Sequence, residues 1–319
     1  MNNLEPNIDP EGRKKFPLEH LPPRIFIVLT LFVVFFTYQI LGGILSASFI
    51  GIDDIMSGGK IELTRLFTAF SQYMFILFPV LLLSYLQGNN PRDAFKLKKP
   101  NIPILLLSVI GIVAILPSIE AFVYFQEKLL YSLPLGDEVL NGIREFDDQM
   151  TQLTVKLAYS YSLPEMLVVV FVIAVTPAIC EEFFFRGLIL KNFERSSRAF
   201  SAILYTGVLF AIFHFHPLNL IPLVFLGFFL TYVVHYSGSI YTGIICHFVN
   251  NGLAVVGLYY MGPESMDKTV IAGQDEVSII VYGIVSLVVI IIIMKTIKKI
   301  AQINDKKLLP GNPLPPADE

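Results

Sequence analysis

The amino-acid sequence contains eight apolar segments, each close to the ~20 residues that an α-helix needs to cross a bilayer. They lie near residues 24–46, 66–86, 102–125, 164–190, 199–216, 218–235, 239–260 and 277–295. Only 15% of the residues are charged, whereas a soluble globular chain carries about 25%. The mean hydropathy of +0.66 agrees with this contrast. The sequence therefore predicts an all-α fold, a polytopic transmembrane bundle of about eight helices.

The basic residues predict how this bundle is oriented. If the N-terminus is inside, sixteen Lys and Arg residues fall on the inner side and six on the outer side. This excess fits the positive-inside rule only for an even number of spans. We therefore expect a transmembrane domain over 24–300, flanked by cytoplasmic polar tails at 1–23 and 301–319 that are poorly ordered. With no cleavable signal peptide visible, a bacterial inner membrane is the expected location.

Charge and cysteine content exclude several other classes of protein. A formal net charge of −3 gives no reason to expect a nucleic-acid partner. Cys180 and Cys246 fall inside apolar segments, which predicts small buried side chains rather than a disulfide framework. The acidic stretch at 137–150 reads as a partly helical, solvated loop on the outer side.

One apolar segment carries three charges in six consecutive positions. In "AVTPAICEEFFFRGLIL", residues 174–190, these charges are Glu181, Glu182 and Arg186. Each charge in a bilayer costs at least ~2.5 kcal/mol on insertion scales, so the group needs an explanation. At ~100° per residue, Glu182 and Arg186 lie nearly on one helix face and can form an ion pair. Glu181 points about 140° away from Arg186 and needs a partner outside its own helix.

Histidines on two later segments can supply that partner. His214 ends the apolar run "FAIFH", and His247 lies in "GIICHFVNNGLAVV" with Asn251 four residues on, on the same face. A single wet cavity shared by Glu181 and these side chains would satisfy all of them. Helix rise puts Glu181 about 16 Å and His247 about 14 Å from the inner surface, but His214 about 24 Å.

The motifs EExxxR ("EEFFFR"), FxxxH ("FAIFH") and HxxxN ("HFVNN"), in this order, resemble those of a known family. It is the CAAX-protease and bacteriocin-processing (CPBP, or Abi) family of intramembrane proteases, and a core at about 164–260 is similar to it. The resemblance implies an endopeptidase that hydrolyses peptide bonds of membrane-associated proteins or peptides. It further implies that Glu181 is the general base, that His214 helps to hold the water, and that His247 and Asn251 face the oxyanion. Glu182 and Arg186 would support them.

Three other interpretations remain open at the level of sequence. Glu181, His214 and His247 are also the ligand types of a three-coordinate zinc site. That arrangement would consume Glu181 as a ligand, so we favour metal-independent catalysis, although the family is often labelled metalloprotease. Intramembrane carboxylates and histidines also serve transporters and proton- or ion-coupled channels. A non-catalytic, bacteriocin-immunity type of membrane protein is the third possibility.

Overall fold

The computed structural model describes residues 15–134, 136–263 and 275–307, which form eleven helices and no strand. The first six are α1 (Pro23–Ile50), α2 (Ile52–Ser57), α3 (Ile61–Leu86), α4 (Pro91–Ala94), α5 (Ile102–Ser132) and α6 (Asp137–Ala158). The others are α7 (Leu163–Glu194), α8 (Ala199–Ile212), α9 (Pro217–Ser237), α10 (Ile240–Met261) and α11 (Glu276–Lys307).

Each of the eight predicted apolar segments is a helix. Seven of the described helices, namely α1, α3, α5, α7, α9, α10 and α11, are long and apolar enough to cross a membrane. The eighth segment, α8, has 14 residues and is about 21 Å long. The predicted polytopic all-α bundle is confirmed, and the chain is an integral membrane protein.

Three of the long helices contain wide, π-helical turns, four in all. These turns lie at Phe35–Gly42 in α1, Tyr73–Leu77 in α3, and Phe171–Val175 and Glu182–Ile189 in α7. The first wide turn of α7 has a local cause in Pro177. Proline has no N–H to donate to the carbonyl four residues earlier, and its ring crowds that carbonyl. The regular hydrogen-bond ladder is therefore interrupted directly before the charged stretch.

The α8–α9 hairpin brings two backbones into close contact. Gly207 and Gly227 face each other, and a Cβ added at Gly227 would lie 2.8 Å from the Gly207 carbonyl oxygen. The reversal between the helices uses Phe215 at φ 49°, followed by an extended His216. An extended residue is favoured directly before a proline, here Pro217, because the proline ring disfavours the helical conformation there. The hairpin places one face of α9 against the charged stretch of α7.

Three expectations about the polar segments change. Residues 15–22 are not a loose tail, because the Leu18 N–H donates to the Leu86 carbonyl at 2.9 Å and Phe16 packs edge-on against Tyr85. At the other end, α11 continues to Lys307, so the polar tail starts later than residue 301. The acidic 137–150 stretch is entirely helical within α6. The outermost tails, 1–14 and 308–319, lie outside the described residues.

A buried arginine fixes the end of α6. The Arg65 side chain is 2% exposed, and its guanidinium lies 2.7 Å from the Glu165 carboxylate. It also donates to the carbonyls of Leu157 and Tyr159 at the C-terminus of α6. Cations are favourable at helix C-termini. This one side chain thus joins α3, α6 and α7.

Candidate active site

The two adjacent glutamates of α7 lie at the junction between a regular turn and a wide turn. Glu181 ends the regular turn Thr176–Glu181, and Glu182 begins the wide turn Glu182–Ile189. Their side chains face different surroundings, because Glu182 is 0% exposed and Glu181 is 17% exposed. The two carboxylates therefore belong to two distinct groups.

Glu182 is the centre of a buried charged group. Its Oε1 accepts from the Arg186 guanidinium at 2.7 Å and lies 3.0 Å from His247 Nδ1. Arg186 also donates to the Gly227 carbonyl at 3.2 Å and to the Thr231 hydroxyl at 3.3 Å, both on α9. A buried charge is tolerated when it is paired, and Glu182, Arg186 and His247 form such a paired group across α7, α9 and α10. The second carboxylate oxygen, Glu182 Oε2, is buried and accepts no hydrogen bond from any residue that the structure describes.

The Glu181 carboxylate faces His214 instead. Its Oε2 lies 3.8 Å from His214 Nε2, and none of the described groups donates a hydrogen bond to this buried oxygen. His214 Nδ1 lies 2.7 Å from the Phe210 carbonyl oxygen. A carbonyl only accepts, so Nδ1 carries a hydrogen, and in the neutral ring Nε2 is then an acceptor. Two acceptors, a carboxylate oxygen and an imidazole nitrogen, thus face each other.

Phe210 lies between the two groups. Its ring centroid is 4.4 Å from the Arg186 guanidinium carbon, which is a cation–π distance. The same ring is 4.5 Å from the His214 ring and 6.0 Å from the His247 ring. It is 1% exposed. One phenylalanine therefore packs against three of the six predicted site residues.

Asn251 is held by the carbonyl that Pro177 leaves free. The Asn251 side-chain amide donates to the Ile173 carbonyl at 3.0 Å. In a regular helix, the N–H of residue 177 would occupy that carbonyl, and proline has none. The Asn251 amide oxygen accepts from Asn250 at 3.0 Å. One of its two amide hydrogens remains available for another acceptor.

The structure pairs the predicted site residues in two groups, because His247 Nδ1 contacts Glu182 whereas His214 faces Glu181. The sequence did not predict the contact between His247 and Glu182. A zinc site needs three ligands around one point. Among the described residues, no three His, Cys, Asp or Glu side chains are grouped in that way. The predicted zinc ligands therefore do not fit zinc in this arrangement. Cys180 and Cys246, which the sequence predicts to be small buried side chains, are buried free thiols.

Three contributors to the site were missed in the sequence. Phe210 had a signal, since it is the first residue of the FxxxH motif. Gly243 on α10 had no such signal in the sequence. It contributes by leaving room for Glu182, because a Cβ at this position would lie 2.5 Å from Glu182 Oε2. Tyr38, in the wide turn of α1, interacts electrostatically with Glu181. Gln39 beside it approaches the Phe213 carbonyl at 3.5 Å, so α1 borders the site.

A carboxylate–imidazole pair and a buried charged group thus lie together within a bundle of membrane helices. Residues 163–253 match the family model described as Type II CAAX prenyl endopeptidase Rce1-like. The matched segment contains all six predicted site residues. Neither the curated proteins nor the solved structures gave a match. The segment is thus similar to a CAAX-protease-type domain, and the resemblance seen in the motifs is confirmed.

Proposed function

We propose that this protein is an intramembrane endopeptidase in which Glu181 and His214 activate the attacking water. Its substrates are membrane-associated proteins or peptides, and the reaction is hydrolysis of a peptide bond. The family match supports a protease of the CAAX type. The assignment of roles to individual residues rests on the geometry of their side chains.

The observation that carries the proposal is the approach of Glu181 Oε2 to His214 Nε2 at 3.8 Å. Two acceptors cannot bond to each other, whereas a water molecule can donate one hydrogen to each of them. A water held in this way has its oxygen lone pairs directed outward, towards an incoming carbonyl carbon. Access to the pair is from the His214 side, since His214 is 31% exposed whereas Glu181 Oε2 is buried.

The chemistry then follows from general base catalysis. The water oxygen forms a bond to the carbonyl carbon of the scissile peptide, and its proton passes to Glu181. The resulting tetrahedral intermediate carries negative charge on the former carbonyl oxygen. When it collapses, the C–N bond breaks and Glu181 returns the proton to the leaving nitrogen. His214 orients the water and accepts its second hydrogen bond.

His247 and Asn251 are the proposed oxyanion donors. His247 uses Nδ1 for its bond to Glu182, so its Nε2 donates when the ring is protonated at both nitrogens. The Glu182 carboxylate fixes the orientation of the ring. Asn251 supplies the amide hydrogen that its bond to Ile173 leaves available. Preorganised donors of this kind act where charge develops in the transition state.

The test uses the full chain in liposomes with a library of membrane-anchored peptides, analysed by mass spectrometry for cleavage. Glu181→Gln keeps the shape but cannot accept a proton, so cleavage should almost vanish. His214→Ala should do the same. Asn251→Ala should lose about 10²–10³-fold and keep residual activity. Glu120→Gln, at an exposed carboxylate of α5, is the matched control and should cleave like the wild type.

Some results would contradict the proposal. Full cleavage by Glu181→Gln would remove the proposed base. Cleavage that is lost on chelation and restored by zinc would overturn the metal-independent mechanism. A wild type that cuts no peptide but conducts ions or protons, with conduction altered by the same variants, would favour a transporter instead.

A further inference from the structure

A second concave feature lies away from the candidate active site. It is a groove with a volume of about 620 Å³ between α5, α8, α9 and α11, here called the α5–α11 groove. Phe122, Phe225, Ile284 and Leu287 are among the residues that line it. Several of these side chains are exposed and so face lipid in a membrane. The groove is within the size range of a small-molecule site.

The residues that line the groove favour a hydrocarbon ligand. Of the residues that line the groove, only Ser118 is polar. Its hydroxyl is already engaged, because it donates to the Gly283 carbonyl at 2.9 Å and lies 2.6 Å from the Ser286 hydroxyl. Along α11 the wall extends from Ile280 to Met294, a length of about 21 Å. A flexible alkyl chain fits such a surface, whereas a polar ligand finds no partner there.

One end of the groove is basic. Lys295 and Lys298 lie four residues beyond the lining residues Ile291 and Met294, and thus continue the same face of α11. On α8, Arg198 lies two residues before the lining residue Phe200. All three basic side chains are exposed. None of them forms an ion pair with any residue that the structure describes.

The opposite end carries no such excess of positive charge. There Lys128 of α5 forms an ion pair with Glu276 of α11, and the Tyr124 hydroxyl bonds to the same carboxylate at 3.0 Å. A ligand with a hydrocarbon part and one anionic group therefore has a defined direction. Its anionic group belongs at the end with Arg198, Lys295 and Lys298.

The groove is separate from the candidate active site. On α9, Gly227 and Thr231 face Arg186, while Phe225 and Phe228 line the groove from another part of the helix surface. None of the proposed catalytic side chains is among the lining residues. A substrate chain occupying the groove would leave its peptide on the wrong side of α9 for hydrolysis. A bilayer lipid, in contrast, does not need to reach the catalytic side chains.

We propose that the α5–α11 groove binds the acyl chains of an anionic phospholipid whose phosphate interacts with Arg198, Lys295 and Lys298. Hydrocarbon contacts give no preference by themselves, because lipid tails are as apolar as the groove. The selectivity comes from the net charge of the head group, since phosphatidylcholine carries the same phosphate together with a cationic choline. Each basic residue near the membrane surface favours the anionic lipid about fivefold. Three residues together give a preference of about 100-fold over a zwitterionic lipid. The inference does not depend on the proposed protease activity.

The absence of tryptophan from the sequence makes a fluorescence test direct. Phe225→Trp places a single reporter in the groove, and Leu204→Trp is a second reporter if the first does not fold. Phe32→Trp, on the exposed face of α1, is the control reporter. Each protein is placed in phosphatidylcholine vesicles that contain a minor fraction of phosphatidylglycerol or phosphatidylcholine with brominated acyl chains, which quench tryptophan on contact.

The groove reporter should be quenched at far lower fractions of brominated phosphatidylglycerol than of brominated phosphatidylcholine. The control reporter should not distinguish them. Adding Arg198→Gln, Lys295→Gln and Lys298→Gln together should abolish the preference. The matched control removes three exposed basic residues elsewhere, with Arg92→Gln, Lys98→Gln and Lys99→Gln. This control should retain the preference for phosphatidylglycerol.

Equal quenching of the groove reporter by the two lipids would overturn the proposal. So would a preference that survives the triple change at Arg198, Lys295 and Lys298. Displacement of the brominated lipid by a prenylated peptide, but not by unlabelled phosphatidylglycerol, would assign the groove to substrate and overturn the phospholipid assignment as well.

Discussion

The guanidinium carbon of Arg186 lies 4.4 Å from the centre of the Phe210 ring, and the same ring contacts His214 and His247. The two functional groups of the site therefore share one side chain. Both a cation–π interaction and the placement of two imidazoles depend on it.

Replacing Phe210 should reduce activity more than stability. Phe210→Leu keeps an apolar side chain but removes the ring, so His214 and His247 lose a common contact. A misplacement of about 1 Å can cost about 10²-fold in rate, and we expect a loss of 10- to 100-fold in peptide cleavage. Tyr205→Leu, at a 49% exposed position on the same helix, is the control and should behave like the wild type. An unchanged rate for Phe210→Leu would show that the ring only fills space.

Glu182 and Arg186 should behave as a unit. Arg186→Met leaves a buried carboxylate without its main partner, a change that typically costs about 3–5 kcal/mol. We expect less folded protein in membranes, measured by fluorescence-detected size exclusion after detergent extraction. Adding Glu182→Gln should restore part of it, whereas Arg195→Met, at an exposed cation just after α7, should have no effect. If the double variant is no better than Arg186→Met alone, the two residues are not coupled.

Gly243 should tolerate no side chain. A Cβ there would lie 2.5 Å from Glu182 Oε2 and 2.5 Å from Val234 Cγ2. Gly243→Ala must therefore move the carboxylate that bonds Arg186 and His247, so both the melting temperature and the activity should fall. On the same helix, an alanine at Gly257 meets nothing within 4 Å. Gly257→Ala should be neutral or stabilise by about 0.5–1 kcal/mol. Equal melting temperatures for the two variants would refute the steric argument.

Replacing Pro177 should reduce activity by displacing the Asn251 side chain. Pro177→Ala restores an N–H that competes for the Ile173 carbonyl, which now accepts from Asn251. Asn251 would lose its anchor, and cleavage should fall about tenfold while the protein still folds. Pro103→Ala is the control, because proline in the first turn of a helix replaces no hydrogen bond. Full activity of Pro177→Ala would mean that Asn251 is positioned by other contacts.

The charge distribution predicts that both termini lie on the cytoplasmic side. Cysteines introduced at residues 10 and 310 should react with an impermeant reagent only from that side. The native Cys180 and Cys246 are buried, so the introduced thiols dominate the signal. Labelling of the two termini from opposite sides would require an odd number of spans.

Helix positions and the Glu182–Arg186 pair could be predicted because both depend on local spacing. The contact between His247 and Glu182 could not, because it depends on how three helices are rotated against one another. A wide turn at Glu182–Ile189 changes that rotation, and apolar periodicity does not reveal it.

The depth mismatch of His214 came from an incorrect helix end. The sequence suggests that the apolar segment ends near 190, whereas α7 continues to Glu194. The four extra residues add about 6 Å. Glu181 then lies about 22 Å from the inner surface, compared with about 24 Å for His214. The two residues are thus at similar depth, in agreement with their 3.8 Å approach.

The shortness of α8 bears on how an enzyme inside a bilayer obtains its water. With 14 residues, α8 covers about 21 Å of a hydrocarbon layer that is ~30 Å thick. Such a hydrophobic mismatch is relieved by local thinning of the bilayer, at a cost of fractions of a kcal/mol per Å. His214 follows the end of this helix, so the thinned region lies next to the Glu181–His214 pair. Local thinning there would bring head groups and their hydration shell towards the proposed site of hydrolysis.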